Sequence, residues 1–231
     1  MIRGAPIGKR FQHCTFDNFE VNKSNREAYE TCKRVAREGT HGIMLWGKNG
    51  VGKTHLLVAL MKEYDRLHSY IPAKRTPAEP MIDIPSASSL IANAGESLDE
   101  TGEIPSLSLD EIERSAHIEY WPLLDLVSEL RSDIAHGSQL TSTRCRECDL
   151  LILDDFGSER TTDFVLEELE RVVDWRYRAM LPTAVATNLS DSAAVIKKYG
   201  GRALSRWIGS CYDVVVGGED RRTSSERPIL D

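Results

Sequence analysis

An eight-residue run, Gly47-Lys48-Asn49-Gly50-Val51-Gly52-Lys53-Thr54, satisfies G-x-x-x-x-G-K-[ST] and narrows the folds open to this chain. The motif works only where a strand ends and a helix begins, because its backbone N–H groups must converge on phosphate while the helix start adds its positive dipole end. Both flanks are present. Ile43-Met44-Leu45-Trp46 is an apolar run of buried-strand character, and Leu57, Leu60, Met61, Tyr64 and Leu67 recur at helical spacing from Lys53 to Leu67. All eight loop residues are therefore candidates for binding the phosphates of ATP. Lys53 is expected at the β- and γ-phosphates, and the Thr54 hydroxyl on Mg²⁺.

Asp149-Leu150-Leu151-Ile152-Leu153-Asp154-Asp155 is the second informative stretch. Four apolar residues followed by two acids predict a buried strand with carboxylates at its carboxyl edge, where open parallel sheets bind ligands. Mg²⁺ needs carboxylate oxygen beside the phosphates, so the run reads as a Walker B strand.

Around these two stretches strands and helices alternate. Ser24-Asn25-Arg26-Glu27 has the form of a capping box opening a helix to about Glu38, with Ala28, Cys32, Val35 and Ala36 as its apolar stripe and Gly39 as its stop. His117 to Trp121 predicts a strand, and Pro122 the first turn of a helix carrying Leu123, Leu124, Leu126, Val127, Leu130 and Ile134 to Gly137. Thr162 to Met180 predicts a helix with Phe164, Val165, Leu169, Val172, Val173 and Tyr177 on one side and Glu167–Arg171 and Asp174–Arg178 as i,i+4 pairs. Pro182 to Thr187 is a small-residue strand ending at Asn188, short helices cover Ser192 to Lys198 and Ala203 to Ser210, and Asp213 to Val216 is a last strand. The alternation predicts an α/β fold with a mostly parallel sheet.

Residues 71–115 break the pattern with five prolines and many serines, and read as one irregular insertion within a single domain spanning 1–231; Ser86 to Leu98 is its one candidate helix. Nine acids and no Lys or Arg lie between Thr76 and Glu113, leaving +2 for the rest of a chain whose total is −7. The acidic balance thus describes one segment and does not exclude a DNA-binding face elsewhere. No apolar run approaches the 18 residues of a membrane span, no signal-peptide core follows the basic N-terminus, and five Cys are an odd number, so a cytoplasmic protein with reduced thiols is expected. Cys145-Arg146-Glu147-Cys148 is a single C-x-x-C, with His136 and Cys211 as the remaining candidates for completing a metal site.

The chain resembles the DnaC/IstB-like family of AAA+ proteins, the helicase-loader and transposition-ATPase group. The resemblance rests on Phe16 to Phe19, Gly47 to Thr54, Leu150 to Gly157, Pro182 to Leu189, Tyr199-Gly200, Ser205-Arg206-Trp207 and Gly218 to Arg222, and it covers roughly 11–70 and 117–224. It implies a three-layer α/β/α P-loop NTPase with a five-stranded sheet, an ATP–Mg²⁺ site, ATP hydrolysis, single-stranded DNA and a replicative helicase or a transposase as partners, and a homo-oligomer. On the resemblance, Asp154 would hold Mg²⁺ through water, Asp155 would polarise the attacking water, and Asn188 would place that water. Arg206, with Arg202 as rival, would be a finger reaching a neighbouring subunit's nucleotide; Arg222, or else Arg221, would read the nucleotide. The chain departs from the family in its acidic insertion, in the absence of a separate N-terminal partner-binding domain and in having no full helical lid after Val216. Two other classes compete with this reading: a small-molecule P-loop kinase and a nucleotide-gated interaction module without turnover. The kinase has no use for Asn188 at a strand end or for a trans arginine, and intact Lys53, Asp154 and Asp155 argue against the module.

Overall fold

The computed structural model describes residues 2–68, 116–160 and 162–221. The 71–115 insertion, with its expected helix at Ser86 to Leu98, and Arg222 lie outside the described residues. Six strands form one parallel sheet: β1 (Ile2–Gly4), β2 (Gly42–Trp46), β3 (Ile118–Pro122), β4 (Leu150–Phe156), β5 (Thr183–Thr187) and β6 (Cys211–Val215), in the order β1-β3-β4-β5-β2-β6. The five expected strands are all there. The sixth, β1, corrects the count: it pairs with β3 through Ile2↔Ile118 and Gly4↔Tyr120. Three residues are too few to show a period-2 pattern, and β1 is a strand only because β3 offers it an edge.

Seven helices cover the two faces of the sheet among the described residues: α1 (Arg26–Glu38), α2 (Lys53–His68), α3 (Leu123–Ala135), α4 (Leu140–Glu147), α5 (Asp163–Ala179), α6 (Ser192–Tyr199) and α7 (Gly201–Ser210). Alternation along each strand sorts the layers. Ile43, Leu45, Tyr120, Ile152 and Ala186 face α1 and α2, where Ala28, Cys32, Val35, Leu57 and Leu60 are buried. Met44, Trp46, Leu151, Leu153 and Val185 face the other way, packed with Leu126 of α3, Cys145 of α4, Leu169 and Val173 of α5, Val195 of α6 and Trp207 of α7. This is the expected three-layer α/β/α arrangement.

Local signals explain most boundaries. Gly39 ends α1 at φ +65°, its N–H bonded to Val35 O. Thr162 caps α5 by accepting from Val165 N–H, and Asp191 caps α6 by accepting from Ala194 N–H. The capping box at Ser24 does not form. Asn25 is the N-cap of α1 and its amide instead bridges Asn22 N–H and Glu20 O, while the Ser24 carbonyl accepts from Gly217 N–H. Leu67, Leu124, Ile134 and Tyr177 of the expected apolar stripes are exposed. In α5, Arg176 is buried (2% exposed) beside the outward-facing Tyr177. Arg171 pairs with Glu168 rather than Glu167, while Asp174–Arg178 forms as expected at 2.8 Å.

Candidate nucleotide site

Three strand ends assemble the site. The glycine loop, the two acids and the Asn188 amide leave the carboxyl ends of β2, β4 and β5, and β5 lies between β4 and β2 in the sheet. The loop leaves β2 at Gly47 and enters α2 at Lys53, so strand, glycine loop and helix stand in the order the motif demands. Gly50 takes φ +77°, and a Cβ there would lie 1.6 Å from Asp220 Oδ1. The positive φ favours glycine there, and any larger residue would also displace the Asp220 carboxylate.

Lys53 is buried at 6% exposure. Its Nζ donates to Gly47 O and Lys48 O, both at 2.8 Å, and to Asn188 Oδ1 at 2.6 Å. The ammonium group therefore sits inside the loop, tied to the amide at the end of β5. Thr54, in the first turn of α2, donates its hydroxyl to Asp154 Oδ1 at 3.3 Å. Asp154 is 3% exposed, and its other oxygen accepts from the Tyr120 hydroxyl at 3.0 Å. Burial and then the neighbouring Asp155 charge push its carboxyl above the usual carboxylate range. Asp155 is exposed at φ +50°, where the β4–β5 register slips between Leu153 and Phe156. A non-glycine residue in the left-handed region at a strand end stores backbone strain, a feature that clusters at functional sites. The irregularity turns the second acid out of the pleat and onto the wall of the cleft.

That cleft, about 350 Å³, is lined by Gly50, Lys53, Thr54, Asp155 and Asn188. Arg10, Phe11, His13, Cys14 and His55 line it as well. Sequence reasoning missed these residues. The 8–19 segment has no periodicity, and it is held by interactions that spacing does not reveal. His55 Nε2 donates to Thr15 O at 2.9 Å, Asn18 Nδ2 donates to His13 O at 2.8 Å, and Phe19 meets the His55 ring edge-on at 5.1 Å. Burial lowers the His55 pKa, which favours its neutral ring.

Of the two arginines weighed as nucleotide readers, Arg221 lines the cleft. Its N–H donates to Gly50 O at 3.1 Å, its guanidinium donates to Glu20 O at 2.7 Å and stands 4.9 Å from the Phe19 ring. Arg206 lies on α7 against α5, paired with Asp174 at 2.7 Å and Glu170 at 3.8 Å, and it does not line its own chain's cleft. Cys145 and Cys148 are both fully buried, and burial raises both thiols, Cys148 to about 11 and Cys145 well above its ordinary value. Arg176 donates to Cys148 Sγ at 3.2 Å. Among the described residues no three His, Cys, Asp or Glu cluster as a metal site, so Cys145, Cys148, His136 and Cys211 do not form one.

Residues 11–76 match the family model of the bacterial DnaA ATPase domain. The chromosomal replication initiator protein DnaA of Cereibacter sphaeroides is 40% identical over 68 residues, which is 28% of this chain and 14% of that protein. DnaA of the Wolbachia of Brugia malayi is 44% identical over 62 residues, 25% of this chain and 13% of that protein. The matched stretch thus spans about a seventh of these relatives' length. In structure, a DnaC helicase loader superposes with TM-score 0.64 at 20% identity, over 91% of this chain and 100% of that one. The chain shares the fold of the DnaC helicase loader and of DnaA. DnaI aligns over 96% of this chain and 97% of its own, at TM-score 0.62 and 17% identity. DnaA bound to AMPPCP and single-stranded DNA aligns at TM-score 0.63 and 19% identity, over 90% of this chain and 51% of that one.

Proposed function

We propose that this AAA+ chain binds ATP with Mg²⁺ and hydrolyses it, as a DNA-replication ATPase that loads a replicative helicase at single-stranded DNA. One observation carries the reading: Lys53, Thr54, Asp155 and Asn188 line one cleft at the ends of three adjacent strands, with Asp154 bonded to Thr54 beside it. The residues also fit a hydrated Mg²⁺. A hydroxyl and a buried carboxylate stand 3.3 Å apart beside the loop, with a second acid next to them and no base paired with Asp154 among the described residues. Thr54 and Asp154 would hold the ion, which would supply positive charge against that developing on the phosphates.

The protein's own groups do the rest. Lys53 exchanges its loop carbonyls for phosphate oxygens, and the loop N–H groups bind the same anion. Asp155, turned outward by its left-handed backbone, accepts a hydrogen bond from the attacking water. Asn188, freed as Lys53 turns, orients that water with its amide. Arg206 acts on the nucleotide of a second copy of the chain, leaving Asp174 and Glu170 to do so. Arg221, its N–H bonded to Gly50 O and its side chain at the cleft, reads the nucleotide. The chain works in the cytoplasm on this reading; no described helix is long and apolar enough to cross a membrane.

ATP turnover with and without single-stranded DNA tests the proposal. We expect Mg²⁺-dependent hydrolysis that single-stranded DNA stimulates and that Lys53→Ala abolishes. Turnover that waits on a small-molecule acceptor and ignores DNA would make the protein a P-loop kinase instead.

A further inference from the structure

Tyr120 is the middle residue of β3, placed opposite Ile152 of β4. Its ring is buried in the layer beneath α1 and α2. A phenylalanine would fill that layer equally well, so packing does not account for the hydroxyl. The hydroxyl is spent on Asp154, donating to Oδ2 at 3.0 Å. The opposite oxygen of the same carboxylate accepts from Asp155 N–H at 2.9 Å and from the Thr54 hydroxyl at 3.3 Å. Three donors from β3, β4 and the start of α2 thus hold one acid. They are not equivalent. The Thr54 oxygen must turn toward a metal ion when it serves as a ligand, and Asp155 N–H shares the irregular backbone of its own side chain. The χ2 of an aspartate is a soft, roughly two-fold torsion, and a carboxylate released by Thr54 keeps its plane only if a donor remains on the other oxygen.

We propose that Tyr120 is a positioning residue for the metal-holding acid, fixing the Asp154 carboxylate so that Oδ1 faces the metal and its waters. The inference rests on the ATP–Mg²⁺ reading of the cleft. Outer-shell donors to metal-holding carboxylates commonly change metal affinity by 10–100-fold. Here the metal would be shared with phosphates and water, so the effect of Tyr120→Phe is expected at the low end, about tenfold.

The test reads binding rather than turnover. Affinity for a fluorescent ATP analogue is measured by anisotropy across a Mg²⁺ titration, for wild type, Tyr120→Phe and Lys53→Ala. Thermal melting checks the fold, and the line shape of Mn²⁺ in the nucleotide complex reports the coordination shell directly. Tyr120→Phe is expected to match wild type in metal-free nucleotide affinity, to need about tenfold more Mg²⁺ for half-maximal effect, and to change the Mn²⁺ line shape. Its turnover should recover at high Mg²⁺. A Mg²⁺ midpoint equal to wild type overturns the assignment, as does a lowered melting temperature with unchanged metal dependence, which is what a packing role alone would produce. A wild-type protein whose nucleotide affinity ignores both Mg²⁺ and Lys53→Ala overturns the reading of the cleft itself, and the proposal with it.

Discussion

Arg176 is a buried cation with no carboxylate partner among the described residues, and replacing it should loosen the amino edge of the sheet, opposite the site. Its guanidinium donates to Thr183 Oγ1 at 2.9 Å and to the carbonyls of Cys145, Arg146, Cys148 and Pro182 at 3.0, 3.2, 2.8 and 2.6 Å. It thereby ties the last turn of α4 to the first residues of β5, next to the start of β4. Arg176→Met keeps the stem volume and deletes every donor. A hydrogen bond from a charged group contributes about 1.5–3 kcal/mol, so the two shortest alone represent about 3–6 kcal/mol. Part returns because a desolvated charge is no longer buried. Pro182 O also keeps the Leu151 N–H at 3.3 Å. The net loss should be about 3 kcal/mol, a large share of a typical stability of about 5–15. With a urea m-value of about 2–3 kcal/mol/M, the midpoint should fall by about 1–1.5 M. Arg176→Lys should recover only a fraction, since an ammonium cannot span carbonyls on two sides at once. Urea unfolding followed by circular dichroism checks both variants. A midpoint shift below about 0.3 M for Arg176→Met would show that those carbonyls rebond without it and refute the account.

Asp155→Asn should retain ATP and Mg²⁺ binding and lose hydrolysis, because asparagine tolerates the φ of +50° while giving up the charge that polarises water; equilibrium binding beside single-turnover kinetics separates the two. Asp154→Asn should raise the melting temperature of the metal-free protein at neutral pH while removing its response to Mg²⁺. The Asp154 pKa is raised in the fold, so its charged form is a cost above that pKa, relieved as pH falls through it, and the advantage of Asn should shrink over the same window. Melting scans at several pH values measure this, and a gain that grows toward acid would contradict the assignment. Arg206→Ala mixed with Asp155→Asn should regain turnover that neither shows alone, since one chain lends the finger and the other the acid. Trans fingers elsewhere are worth about 10³–10⁵ in rate, so even partial rescue is measurable in a coupled ATPase assay. A mixture as inactive as its components, under conditions where they co-assemble, would leave Arg206 as a partner of Asp174 and Glu170 and point to Arg202 or to a finger acting in cis.

Much of this fold is local. The glycine loop between Trp46 and Lys53, the apolar run into Asp154 and Asp155, and the stripe Ala28, Cys32, Val35, Ala36 all announce themselves, because period and turn chemistry are properties of neighbours in the chain. Asn188 and Arg206 were legible only through family resemblance; an Asn after a small-residue strand and an Arg on a short helix carry no signal of their own. The α4 helix escaped notice because its sequence, Leu140 to Glu147, shows no apolar period. It is helical because Arg176 and the core around Cys145 hold it there.

Sequence by itself determined the class of the protein: a parallel α/β sheet with a phosphate loop, two acids at a strand end, and chemistry limited to what those residue types can do. Tertiary structure decided how they meet. It set β5 beside both β4 and β2, bringing Asn188 to Lys53 across 135 residues of chain. It brought Arg10, Phe11, His13, Cys14 and His55 to the cleft, bonded Arg221 N–H to Gly50 O, and aimed the Tyr120 hydroxyl at Asp154. Those choices depend on sheet order and on the register of strands far apart in sequence, and no spacing along the chain encodes a distance between two strands until the core between them has packed.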